Sequence, residues 1–329
     1  MQFLVTPKMG SSFREPLLYS FATEDAEPQD LLVKIYDSTA GEVVGEKMLY
    51  QTSEATIDIA PYLRSLVQPT ISLSSSHSIT PSPVSKIVSV SANGVMSPQC
   101  LVLGESFDLS QPKMLTRRFD VDGDQESQMV VKRGEPILFT LYAPQPVDIQ
   151  IIAYAPIGSR RYNITFSGEP QIVDVMISAR QLPVVASRVE VNIYNSTTLF
   201  RRLNFTLSTV QGSGPTLLWR NWLGGIESYT FPRELRLADR VDIDQYATST
   251  ELVAKLRNAR RRVRLCSALE SPEELERIKG IIAATHLYEL KGGELVPIEL
   301  LTRTIEYGSH GEIRQVVLEI EEEWKGGEL

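Results

Sequence analysis

The sequence predicts a mainly β protein, with two β-sandwich-like modules of the immunoglobulin/fibronectin type at 1–110 and 111–211 and an α+β domain at 212–329. Three observations carry this. Apolar and polar residues alternate with period two through the first two thirds of the chain. No long amphipathic helix is interleaved with those segments, which disfavours a parallel α/β sheet and its crevice at the strand ends. A Gly/Pro-rich break at 211–215 precedes the strongest helix start in the chain.

In the first module Leu31, Val33 and Ile35 alternate with Leu32, Lys34 and Tyr36; Ser38-Thr39-Ala40-Gly41 then supplies a turn, and Val43-Val44 resumes an extended run, so a hairpin is expected. Ala55, Ile57 and Ile59 alternate with Glu54, Thr56 and Asp58 up to Pro61, after which 62–67 reads as a helical turn. Residues 68–91 are rich in Ser and Thr and hold Pro69, Pro81 and Pro83, a composition for loop and edge strand. The second module repeats the alternation at Val147, Ile149, Ile151 and Ala153, at Val173, Val175 and Ile177, at Val189, Val191 and Ile193, and at Leu203, Phe205 and Leu207. Strands at that spacing predict an antiparallel sandwich.

The last domain opens with Trp219, Trp222, Tyr229 and Phe231 gathered around Gly224-Gly225. Ser271, Pro272 and Glu274 fit N-cap, N1 and N3 of a helix running to about Ala284. Strands are expected at 287–290, 300–307 and 313–320. Charge is segregated here: Lys255, Arg257, Arg260, Arg261, Arg262 and Arg264 stand against Glu251 alone in 251–264, whereas 265–329 carry 14 acidic and 6 basic residues. Val263 and Leu265 interleave with the arginines, as in a strand with a charged outer face. The two runs are expected to pair across a sheet or across a subunit boundary, a solvated charged face being the alternative.

With 33 basic and 41 acidic residues among 329, a net charge of -8, the composition argues against a whole-molecule binder of nucleic acid or anionic membrane. The Arg-rich 255–264 segment lacks nearby stacking aromatics, so no nucleic-acid partner is expected. Cys100 and Cys266 are read as reduced thiols. No secretory signal and no membrane insertion are expected, and the sequons at Asn163, Asn195 and Asn204 are accordingly read as incidental. His77, His286 and His310 stand apart from one another, and the nucleophile elbow and both glycine-rich phosphate loops are missing. Asp120-Val121-Asp122-Gly123-Asp124-Gln125-Glu126 fails the calcium-loop template, with Gln125 where Gly is needed and Val131 where a bidentate Glu is needed; it is read as a solvated acidic turn, leaving open whether Asp120, Asp122 and Asp124 hold an ion. No cofactor, metal site or enzymatic activity is expected.

The segments LLWRNWLGGIESYTFP (217–232), the SPEEL helix, HLYELKGGELVPIELLTRTIEY (286–307) and IRQVVLEIEEEW (313–324), with VKIYDSTAGEVVGEKMLYQTSEATIDIAPYLRSLV (33–67) upstream, resemble virion-associated proteins of phages and prophages of Bacteroides-type bacteria. The serine-rich stretch and the DVDGD string fall outside the resemblance. It implies a non-enzymatic subunit of a tail, baseplate or similar appendage, made in the host cytoplasm and located in the virion, partnered by other virion proteins and by copies of itself. On that reading Trp219, Trp222 and Tyr229 are expected as domain core or inter-subunit anchors, and Arg260, Arg261, Arg262 and Arg264 as polar complement to the acidic run at 319–323. The alternative is a carbohydrate-binding or adhesion protein, with the 219–231 aromatics as a sugar platform.

Overall fold

The computed structural model describes residues 1–24, 27–119, 128–208, 214–247, 252–303 and 315–324; at 128, 233, 235, 236, 239–247, 252–259, 323 and 324 only the backbone course is defined. The Asp120–Glu126 string, residues 211–213 of the Gly/Pro break and His310 lie outside the described residues.

The fold is mainly β, built on sandwich modules. The first contains β1 (Gln2–Val5), β2 (Ser11–Ser12), β3 (Leu18–Ala22), β4 (Gln29–Asp37), β5 (Glu42–Thr52), β6 (Glu54–Asp58), α1 (Ala60–Arg64), β7 (Ser78–Pro81), β8 (Ser85–Ala92), β9 (Val95–Met96) and β10 (Cys100–Leu103). Sheet β1-β3-β6 faces sheet β2-β10-β8-β4-β5, to which β9 adds beside β8. Tyr19, Phe21 and Ile57 meet Leu31, Val33, Ile35, Val88 and Val90 between them, with Leu63 of α1 closing the end. The expected hairpin is β4–β5. Its turn is set by the Asp37 carboxylate, which accepts the Thr39 and Ala40 N–H groups (2.9 and 3.2 Å) and the Lys86 ammonium (2.8 Å).

The second module holds β11 (Lys113–Met114), β12 (Gln128–Lys132), β13 (Ile137–Ala143), β14 (Val147–Ala155), β15 (Gly158–Phe166), β16 (Gln171–Ile177), β17 (Arg188–Asn195) and β18 (Thr198–Ser208). Sheet β11-β13-β16-β7 faces sheet β12-β18-β17-β14-β15. The sandwich is antiparallel except that β12 runs parallel to β18. β7, from the serine-rich stretch, pairs antiparallel with β16, so an edge strand from before position 110 closes a sheet of the second module. Every residue of β13 is buried, because both faces of its sheet are covered. Phe139, Leu141, Val173 and Val175 face the sandwich core. On the opposite face Leu138 and Met176, then Thr140 and Asp174, then Tyr142 and Ile172 lie side by side.

The C-terminal domain comprises β19 (Thr216–Arg220), β20 (Ile226–Thr230), β21 (Arg233–Ala247), β22 (Leu252–Cys266), α2 (Pro272–Ala283), β23 (Leu287–Lys291), β24 (Glu294–Leu300) and β25 (Val317–Trp324). Its sheet runs β20-β19-β23-β24-β25-β22-β21, and α2 packs on it through Leu275, Ile278 and Ile281. The expected cap is present, the Glu274 N–H donating to Ser271 Oγ at 3.3 Å. Of the strand expected at 300–307, Leu300 ends β24 and 301–303 are not in a strand, whereas 304–307 lie outside the described residues, as do 313–314 of the strand expected at 313–320, whose described part enters β25 at Val317. β24 joins β25 where Glu299 and Leu300 align with Glu321 and Ile320.

Candidate interaction sites

β19 lies between the C-terminal domain and the second module and is buried on both faces. Leu217 and Trp219 point toward α2, whereas Leu218 joins Leu138, Met176, Ile226 and Leu290 on the second module. Arg220 ends the strand on that second face. All five of its N–H donors are used: on Asp174 (2.5 and 3.1 Å), the Thr70 carbonyl (2.8 and 3.1 Å) and the Gly224 carbonyl (2.7 Å). Asp174 also accepts the hydroxyls of Thr140 (2.8 Å) and Ser82 (3.2 Å). This buried fork therefore ties together the C-terminal domain, the second module and residues 70–82.

A second polar cluster lies beside it. Glu227 accepts the Arg117 N–H (2.7 Å), the Asn221 amide (2.8 Å) and the Arg277 guanidinium (3.2 Å). Burial pushes its carboxyl up, against the pull of those donors. Burial alone would also raise Glu274, but the Arg277 guanidinium outweighs it and holds that carboxyl below the ordinary range. Arg277 lies over the Trp219 ring, 5.9 Å from its centroid.

The predicted interface residues divide accordingly. Trp219 (0% exposed) and Tyr229 (7%) are core, and Tyr229 donates to Glu270 at 2.6 Å and accepts the Ala268 N–H at 2.9 Å. Trp222, in the turn between β19 and β20, is 54% exposed. The four aromatics of 219–231 thus form no shared platform, because strand periodicity turns Trp219, Tyr229 and Phe231 inward. The arginines are engaged within the chain. Arg264 and Arg262 both bond Glu319, Arg260 bonds Glu321 and Arg261 bonds Glu322, all between β22 and β25. Of the two pairings expected for the charge runs, the structure shows the one across a sheet, with Arg260 in backbone register with Glu323. The Arg264 and Arg262 guanidiniums hold the Glu319 carboxyl below its ordinary range.

β21 is among the elements unread in the sequence, because the string RELRLADRVDIDQYA alternates poorly. It pairs with β22 along its whole length, but β22 meets β25 only over Ala259–Cys266. Beyond Ala259 the described ribbon is two-stranded, and 252–258 spans roughly 23 Å at about 3.3 Å per residue. The edge of β21 away from β22 carries no paired strand among the described residues. The projecting part is charge-polarised in sequence, with Asp242 and Asp244 on one strand and Lys255 and Arg257 on the other, neither strand there carrying a charge of the opposite sign.

No family model matches the chain, and no curated protein matches it. Among solved structures, a crystal structure of DIP-gamma IG1+IG2 is similar at 11% identity, covering 63% of this chain and 96% of that one, with a TM-score of 0.15. No described helix is long and apolar enough to cross a membrane.

Proposed function

We propose that this chain is a non-enzymatic structural subunit of a phage or prophage tail- or baseplate-type appendage, acting by assembly with copies of itself and with other virion proteins. The observation that carries the assembly reading is the projecting β21–β22 ribbon. A two-stranded ribbon is marginal in water on its own, so strands of 15 residues that outrun their own sheet gain stability from a neighbouring surface. An acidic strand beside a basic one favours a head-to-tail contact, in which the basic stretch of one copy meets the acidic edge of the next; such contacts close into rings when the rotation permits. The appendage setting rests on the resemblance of the quoted segments.

The test is light scattering with negative-stain imaging of the full chain at low and high salt. A closed oligomer that loosens with salt supports the reading, as does its loss in Asp242→Lys/Asp244→Lys and its return when that variant is mixed with Lys255→Glu/Arg257→Glu. A strict monomer at high concentration and low salt rejects self-assembly. The alternative, a carbohydrate-binding protein, draws on the exposed Trp222; a saturating glycan titration lost in Trp222→Ala would favour it.

A further inference from the structure

Between the second module and the C-terminal domain lies a cavity of about 400 Å³, within the size range of small-molecule sites. Much of its wall is apolar: Met129, Val131, Ile137, Leu138, Leu218 and Leu290. Its acidic groups are already engaged. Glu135 accepts the Thr216 hydroxyl (2.9 and 3.0 Å) and lies 3.8 Å from Lys132, Glu270 accepts the Tyr229 hydroxyl (2.6 Å), and Glu274 holds Arg277. Arg118 is different. It lines the same cavity from the short turn Arg117–Phe119, and no hydrogen bond or ion pair engages its guanidinium among the described residues. Burial and the nearby Arg277 both disfavour its charge, against Glu274, Glu227 and Glu270. Arg118 is half-buried, and its guanidinium, which stays charged in a protein, keeps a planar fork of donors that an oxyanion in the cavity can accept.

We propose that this cavity binds a small carboxylate with an apolar body, its carboxylate taken in bidentate fashion by Arg118 and its body laid on the apolar wall. The neighbouring Glu135, Glu270 and Glu274 limit the tolerated charge to a single negative one, which selects a monoanionic carboxylate over a dianionic phosphate ester. The site is independent of the assembly reading.

The test is calorimetric titration of the full chain with octanoate, octanamide and octyl phosphate. Octanoate is expected to saturate and to bind roughly ten- to a hundredfold more tightly than octanamide, the range set by a charge-assisted pair of hydrogen bonds. Octyl phosphate is expected to bind more weakly than octanoate. Arg118→Met is expected to remove the preference for octanoate over octanamide while leaving the circular dichroism unchanged. If Arg118→Met fails to fold, Ser228→Phe, which fills the cavity from its polar wall, is expected to abolish octanoate binding with Arg118 intact. Equal binding of octanoate and octanamide, an unchanged preference in Arg118→Met, octanoate binding that survives Ser228→Phe, or no saturable binding of any of the three ligands overturns the proposal.

Discussion

Replacing Arg220 by Met removes the guanidinium that joins three parts of the chain. The side chain is 3% exposed and donates five hydrogen bonds. Met keeps much of the apolar stem but leaves Asp174 with only the Thr140 and Ser82 hydroxyls as donors, and leaves the Thr70 and Gly224 carbonyls without this partner. Breaking a buried pair from one side costs about 3–5 kcal/mol, most of it the uncompensated charge that remains. Asp174→Leu is expected to cost a similar amount by stranding Arg220. The double variant removes both charges, so its loss is expected to fall short of the sum of the singles by about 2 kcal/mol. Urea denaturation followed by tryptophan fluorescence reads this directly, because all three tryptophans (Trp219, Trp222 and Trp324) lie in the C-terminal domain. A loss below about 1 kcal/mol for Arg220→Met, or strict additivity in the cycle, would refute the claim that this fork holds the modules together.

Three further outcomes follow from the geometry. Burial pushes the Glu289 carboxyl up to about 7, Lys291 opposing and Glu322 reinforcing the rise. Its folded value lies above its unfolded one, so the stability it contributes is fully present below about 4.5 and is lost as pH rises through about 7. Reduced for its partly exposed position, the fall between pH 5.5 and 8.5 should be about 1–2 kcal/mol by urea titration, and the same slope in Glu289→Gln would contradict it. Gly225→Ala would place its Cβ 2.0 Å from the Leu115 carbonyl oxygen and 2.7 Å from the Thr116 nitrogen, both backbone, and is expected to cost about 3 kcal/mol or more; a normal urea midpoint would contradict that close approach. Glu319→Ala, which removes the acceptor of both Arg262 and Arg264 on an exposed face, should cost only about 0.5–1 kcal/mol and less in high salt, and a loss comparable to that of Arg220→Met would show the ladder to be far stronger than exposed pairs are.

What the sequence disclosed was set by local physics. Leu31, Val33 and Ile35 recur at period two because one face of β4 is buried and the other is not, and the same holds for β14 and β17. The α2 start was legible because a cap is a contact between near neighbours. Only part of the capping box formed: Glu274 turns to Arg277 because Arg277 is buried against Glu227 and needs both carboxylates. β13 was passed over because ILFTLYA is apolar on both faces and so has no period to read. The fork left one visible trace, Asp174 as the lone charged residue of β16, since a buried carboxylate requires donors; which residue supplied them was a matter of tertiary geometry 46 positions away. The charge runs were equally visible, but nothing local separates pairing within a sheet from pairing between subunits.

β19 carries the remaining argument. TLLWR is a short, mostly apolar string that follows a Gly/Pro-rich break of linker composition. Its alternation serves two cores at once, Leu217 and Trp219 toward α2, Leu218 and Arg220 toward the outer face of β13 and β16. Leu223, just beyond it, joins Val84, Leu101, Leu103, Leu115, Tyr142 and Ile172 where the first two modules meet. The C-terminal domain is therefore anchored to both sandwiches by apolar contact as well as by the Arg220 fork. The base of the ribbon shares the core beneath α2, since Val263 and Leu265 of β22 pack there with Leu318 and Ile320 of β25. A ribbon whose base is fixed in this way meets a partner in one orientation and loses little freedom on docking, whereas the same hairpin on a flexible linker would have to be ordered at each contact. That difference favours a repeating assembly over a tethered, adaptable binding arm, and it makes the junction as important to the proposed function as the ribbon itself.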